Sequence, residues 1–345
     1  MNYQIVMLLG QDGVTNGAIY ALLALSILLV FTVTRILLIP QGEFVSFAAL
    51  CMAAMEGGKP LYIGWLLLAL SLVALALEAK DRYQANGKLQ LKGSDFAFTL
   101  YSLAACALLA TTPVDTAGKP IQALLTLGLI VPLGPLMYRV FFQAIAAGHS
   151  LVLLIVSIAV HVALVGIGLL MFGAEGARIQ PFSEGSIQLG GANINSQTLW
   201  VVAVSLILIV ALYFFFEKTL YGKALRATAV NRLGAELVGI SPELAGKASF
   251  SLAALIGALS GILIAPITTI YFDSGFVISL KGFVGSIIGG LASYPVAAIG
   301  ALGIGLAEAF STFWASSYKE VIVFTLILPF LLWRSLAHGG VEEEE

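Results

Sequence analysis

Between Val14 and Thr34 the chain runs without a charged side chain. A helix crossing the ~30 Å hydrocarbon core of a bilayer needs about 20 such residues. The stretch has neither a cationic leader nor a small-residue cleavage site, so it reads as a retained first helix and not as a signal peptide. Ten more apolar stretches follow: Gly42–Met55, Leu61–Leu77, Phe96–Thr112, Ile121–Tyr138, Leu151–Phe172, Leu199–Phe216, Gly246–Tyr271, Phe276–Leu291, Val296–Phe313 and Glu320–Leu336. They are too long and too unalternating for an outer-membrane barrel, whose ~10-residue strands alternate between lipid and lumen. The expected fold is therefore all-α, a polytopic helical membrane protein. Gly42–Met55 and Phe276–Leu291 are short for a span. They read as broken or re-entrant helices, which persist only where protein or a water-filled cavity satisfies the freed backbone groups.

Composition narrows the function classes. Of 345 residues, 59% are hydrophobic and 10% charged, with a formal net charge of −2; soluble domains carry ~25% charged residues. A soluble enzyme, a disordered chain and a nucleic-acid binder are excluded, the last because it needs clustered positive charge. The longest polar stretches, ~20–30 residues, are too short for a core of their own, so residues 1–345 read as a single transmembrane domain. Cys51 and Cys106 both lie in apolar runs and suggest no disulfide framework. No Gly-Lys pair is followed by Ser or Thr, so the usual phosphate loop for ATP is missing. His149, His161 and His338 have no metal-ligand spacing, and no catalytic constellation can be assembled.

Positive charge gives the orientation. Lys80, Arg82, Lys88 and Lys92 fall in Glu78–Asp95, and Lys218, Lys223, Arg226 and Arg232 in Glu217–Gly246, while Arg35, Arg139 and Arg334 close other stretches. If all eleven stretches cross, these residues share one side. The opposite loops, Glu56–Pro60, Thr112–Pro120 and Gly173–Thr198, are poor in Lys and Arg. This predicts an outside N-terminus and a cytoplasmic C-terminus.

An ionisable group inside a span costs several kcal/mol unless it meets a partner or water. Glu43, after Pro40-Gln41-Gly42, reads either as polar lining of a substrate path or as a carboxylate at a helix N-terminus. Glu308, deep in Val296–Phe313, reads as lining or as a hydrogen bond between helices; Asn16 and Thr15 are similarly open. His161 lies alone in an apolar stretch and reads as a hydrogen-bonded packing residue. Gly13–Gly17, Gly257–Gly261 and Gly285–Gly289 are each GxxxG, a spacing that lets another backbone approach. Pro266, Pro295 and Pro329 mark kinks or turns. The segment Tyr221–Ile240, YGKALRATAVNRLGAELVGI, is rich in helix formers and ends near Gly239. A short helix outside the membrane would dock in a groove of another protein or rest on headgroups.

YGKALRATAVNRLGAELVGISPELAGKASFSLAALIGALSGIL resembles the cytoplasmic loop and following helix of permease subunits in branched-chain amino-acid ABC transporters, the LivH type. The matching residues are Gly222, Ala224, Arg226, Ala227, Asn231, Ala235, Gly239 and Ile240, with one difference in register at Gly234. NGAIYALLALSILLVFTVTRILLIPQGEF resembles the family's first helix and HGE-type turn, FVGSIIGGLASYPVAAIGALGIGLAEAF its glycine-rich and GL-x-E stretch, and YKEVIVFTLILPFLLWR its last helix.

The resemblance implies an ABC importer permease bundle in a bacterial inner membrane, a non-catalytic subunit carrying branched-chain or related amino acids. It implies a LivM-type second permease, two ABC ATPase subunits that use ATP, and a periplasmic amino-acid-binding protein as partners, besides membrane lipid. The chain itself would need no cofactor and no metal. Residues 217–245 would be the coupling loop that docks on an ATPase. Asn16, Gln41, Gly42, Glu43 and Glu308 are the expected substrate-path residues. Two departures stand out. Gln41 replaces the family's usual His before Gly, and an amide does not titrate near pH 7 as His can. Residues 61–120 look like an inserted helical hairpin that the family typically lacks, and Glu342–Glu345 reads as a solvated tail. The alternatives are an ion-coupled secondary transporter of a small polar solute, which would show inverted repeats and clustered midplane acids, and an ABC importer for urea or short amides.

Overall fold

The computed structural model describes residues 3–87, 93–189 and 192–337. Lys88, Lys92, His338 and Glu342–Glu345 lie outside them. All eleven apolar stretches fold as helix, because a chain in lipid must satisfy its backbone groups within each segment. In chain order the helices are α1 (Tyr3–Thr34), α2 (Gln41–Glu56), α3 (Ile63–Asn86), α4 (Ala97–Thr111), α5 (Lys119–Ile130), α6 (Leu133–Met137) and α7 (Ser150–Phe172). They continue as α8 (Ser196–Lys218), α9 (Leu220–Val230), α10 (Arg232–Leu237), α11 (Pro242–Ile264), α12 (Ser274–Ile288), α13 (Tyr294–Ala315), α14 (Lys319–Thr325) and α15 (Ile327–Ala337).

Among the described residues, seven runs are by length and composition long and apolar enough to cross a membrane: Gln4–Thr34, Ile63–Ala85, Lys119–Ile145, Ser150–Phe172, Ser196–Lys218, Pro242–Ile264 and Tyr294–Leu332. The protein is a multi-pass membrane protein. Seven differs from eleven for physical reasons. At 1.5 Å per residue, α2 and α12, of 16 and 15 residues, are only about 24 and 22 Å long, and α4 is as short. Stretches 296–313 and 320–336 merge into Tyr294–Leu332, broken at Ala315 (φ −147°, ψ 59°) and by a 3-10 turn at Ser316–Tyr318. The residues 289–291 expected inside α12 lie beyond it, where Gly290 and Leu291 adopt left-handed φ of 65° and 54°. Pro295 opens α13 and does not sit in the turn before it, since its missing N–H is harmless there. The polar loop after α7 holds one element the sequence did not signal, an antiparallel hairpin of β1 (Ser186–Leu189) and β2 (Ala192–Asn195).

The chain divides into two compact units. The first comprises Met1–Leu28, Ser183–Val210 and Ile278–Glu345. Its helices meet through glycine. At Gly13 and Gly17 of α1, a Cβ would strike the backbone of Leu306 and Leu302 on α13. At Gly285 and Gly289 of α12 it would strike Ala301 and Ala297 of α13, and at Gly282 it would strike Leu23 of α1. Two of the three GxxxG motifs thus bring α1 and α12 onto α13.

The second unit comprises Leu29–Phe182 and Ala211–Val277. Its centre is α2, buried on every side from Gln41 through Met52. The third GxxxG, Gly257 and Gly261 of α11, lies against Phe44 and Val45 of α2. The turn between α1 and α2 starts at Arg35 (φ 59°). Ser157 of α7 stitches it, donating to Leu37 O (2.7 Å) and accepting from Ile39 N (2.9 Å). Pro132 lacks the N–H that would bond Gly128 O, four residues earlier; Tyr101 of α4 donates its hydroxyl there instead, at 2.7 Å. α3 and α4 form a hairpin in which Ser71 and Ser102 share a hydrogen bond of 2.9 Å.

Candidate functional site

Polar chemistry inside the spans concentrates at two places, one in each unit. In the second unit, Glu43 stands in the first turn of α2, and its carboxylate is only 2% exposed. Oε1 lies 2.6 Å from Nδ1 of His161 on α7. The imidazole stacks on Phe276, centroids 4.4 Å apart. Oε2 is buried without a hydrogen-bond partner among the described residues, and Glu43 lines a small cavity of about 10 Å³ together with Phe44, Phe47, Leu66, Leu70, Leu133, Met137 and Leu164. That is space for about one water, but the lining offers no polar surface, where a water needs two to four partners.

Gln41 is fully buried, with Nε2 donating to Ala253 O of α11 at 3.1 Å and Oε1 unpartnered among the described residues. Gly42 is in backbone contact with Gly275, whose own N–H donates to Ser46 Oγ (2.7 Å). The freed backbone at the start of α12 is thus satisfied by protein, as a short membrane helix requires.

The other cluster, in the first unit, joins three helices. Glu308 of α13 accepts a 2.6 Å hydrogen bond from the Tyr20 hydroxyl on α1 at Oε2, and pairs through Oε1 with Lys281 Nζ of α12. All three side chains are buried, and the Lys281 ammonium also lies 5.6 Å from the Tyr20 ring centroid. Asn16 is half-buried one turn before Tyr20. Lys281 is the residue that sequence reasoning missed. A lone lysine inside an apolar stretch was visible and is by itself a signal. Glu43 and His161 were each visible in the same way, but not their pairing, because they are 118 positions apart.

The 217–245 segment folds as two short helices, not one. Thr219 caps α9 by accepting from Gly222 N (3.0 Å). Asn231 interrupts the helix and caps α10 by accepting from Gly234 N (2.8 Å). Asn and Thr favour such positions because their side chains replace the missing intrahelical acceptor. Gly222 has no room for a Cβ against Phe215 O. Arg226 donates to Phe216 O (2.7 Å) and pairs with Glu217 (2.9 Å). Ala235 is buried, and Gly239 ends α10 with φ of 89°, letting Ile240 N reach Ala235 O at 2.9 Å. Ala224 is half-buried and Ala227 exposed. Around this frame, large apolar side chains face outward: Leu220, Tyr221, Val230, Leu233, Leu237 and Val238, with Leu237 81% exposed.

No group of three or more His, Cys, Asp or Glu side chains that could hold a metal occurs among the described residues. The family model for the permease component of branched-chain amino acid transport systems matches residues 11–331. The chain belongs to that family. It is 26% identical over 270 residues to the high-affinity branched-chain amino acid transport system permease protein BraD of Pseudomonas aeruginosa, covering 76% of this chain and 86% of that one. It is 26% identical over 257 residues to LivH of Escherichia coli K12, a protein of the same description, covering 72% and 82%. No solved structure matches the chain significantly. Membership makes this a permease component of a transport system.

Proposed function

We propose that the chain is the LivH-type permease subunit of an ATP-driven ABC importer for branched-chain or related amino acids. It sits in a bacterial inner membrane with its N-terminus outside and its C-terminus in the cytoplasm. A LivM-type permease completes the translocation path, two ATPase subunits hydrolyse ATP, and a periplasmic binding protein delivers the substrate. The observation that carries the reading is the 217–245 loop. Among its family-like residues Asn231 caps a helix and Gly239 turns the chain, while large apolar side chains point outward. A surface so arranged suits a groove on a partner protein. The chain carries no phosphate loop, which agrees with ATP being used on partner subunits. Gln41, Gly42 and Glu43, together with Asn16 and Glu308, are the polar positions proposed for the substrate path, and the hairpin at residues 61–120 is proposed as an addition to the family bundle.

The test is purification from native membranes followed by reconstitution. Two ATPases and a second permease are expected to co-purify. Labelled leucine should enter proteoliposomes only with ATP and the binding protein, and excess urea or acetamide should not compete. Uptake driven by an ion gradient without ATP would overturn the reading in favour of a secondary transporter. Competition by urea would move the substrate to the short amides.

A further inference from the structure

One short stretch touches both the α3–α4 hairpin and the 217–245 loop. Arg139 lies in the π-helical turn Tyr138–Phe142 that follows α6, a conformation met mostly as single turns and often at functional sites. Its Nη2 is 2.6 Å from Asp81 Oδ2 and 3.2 Å from Glu78 Oε2, both on the last turns of α3. Glu78 also pairs with Arg82 (3.4 Å), and Arg82 with Asp95 (2.7 Å) in the turn entering α4. Both legs of the hairpin and Arg139 therefore share one network of alternating charge. The Arg139 side chain is 10% exposed, Glu78 34% and Asp81 56%, so solvent and salt partly screen this attraction.

The same stretch holds the loop from its other side. Tyr138 rests on Gly246 at the start of α11, and Phe250 meets the rings of Tyr138 and Phe142 at 5.1 and 5.4 Å. Less than two turns beyond Arg139, the carbonyl of Ala146 accepts a 2.9 Å hydrogen bond from Arg232 Nη1 on α10.

We infer that Arg139 is a positioning residue for energy coupling. By tying residues 138–146 to the hairpin, it sets where Ala146 holds Arg232, and so the angle at which α10 and its apolar side chains are presented. The inference rests on the docking role proposed for 217–245. The hairpin then stiffens the coupling loop from outside the frame of caps that resembles the family. Loss of Arg139 should slow the turnover that docking drives, without changing recognition of the loaded binding protein.

The experiment uses the complete transporter in proteoliposomes, with the ATPase subunits that co-purify with the wild-type chain. It reads ATP turnover as the loaded binding protein is titrated. Arg139→Ala, and separately Glu78→Gln with Asp81→Asn, should lower maximal turnover about tenfold, within the range that substitutions along a coupling network produce. The half-saturating concentration of binding protein and the subunit stoichiometry should stay the same. Arg139→Lys should recover part of the turnover, and Arg139→Asp with Asp81→Arg most of it. Wild-type turnover in Arg139→Ala would overturn the inference. So would a loss that neither the lysine nor the charge exchange recovers, because that marks general damage. Failure of the unsubstituted chain to bind the ATPases would overturn the docking reading as well, and is recognisable because it needs no substitution.

Discussion

Lys281 and Glu308 carry opposite charges at membrane depth, and each is tolerable only because of the other. Breaking a buried pair by removing one partner costs about 3–5 kcal/mol, whereas replacing both by apolar residues is often neutral or stabilising. Lys281→Met alone and Glu308→Leu alone should therefore each lower unfolding stability by about that amount. The double variant should recover most of it, measured by denaturant unfolding in detergent. Additive losses would show that the two side chains act independently, contrary to their direct contact. Uptake by the double variant then separates holding the helices together from serving the substrate path, since only the second fails in a stable protein. Glu43 differs in kind. Its partner His161 satisfies one oxygen and leaves the other facing apolar side chains, so its environment is incompletely paired in this conformation.

For the loop helices, the large apolar side chains that face outward are not among the residues that resemble the family. Gly239 holds a positive φ, and a side chain there costs roughly 1–2 kcal/mol; Asn231→Ala removes a cap worth about 1 kcal/mol. Substitutions at these positions deform the loop. Leu233→Asp with Leu237→Asp changes only exposed surface. The latter pair should leave folding and membrane insertion intact and abolish co-purification of the ATPases, read by pull-down and thermal unfolding together. Retained ATPase binding in that variant would contradict docking through α10. The same logic explains α12. It is short, yet its start is secured by the Gly42–Gly275 contact and by Ser46, which accepts from Gly275 N, so that N–H group needs no water.

At the scale of the whole molecule, the charge distribution predicts orientation with all eleven apolar stretches crossing, the short ones included, in keeping with the Arg139–Asp81 contact that puts the ends of two runs on one face. Single cysteines at Lys80 and Lys223, in a background lacking Cys51 and Cys106, should be shielded from an impermeant thiol reagent in intact cells, and one at Gly118 should react. Labelling of Lys80 or Lys223 from outside would reverse the assignment.

The sequence by itself determined that the chain is a membrane helix bundle and where most of its helices lie, because hydrocarbon admits only helices or closed barrels and these runs are too long and unalternating for a barrel. It also marked Glu43, Glu308 and the glycine motifs as positions of consequence, and its family likeness lay in the loop from Gly222 to Ile240. Only the tertiary structure decided which groups meet. Glu43 with His161 and Glu308 with Lys281 and Tyr20 are separated by 118, 27 and 288 positions. The break of the loop into two helices at Asn231 and the tie from Arg139 to Asp81 were equally out of reach. Periodicity and hydropathy report what each segment needs, burial or water. Which buried charge answers which is settled by helix packing, and that packing depends on glycine contacts between segments distant in the chain.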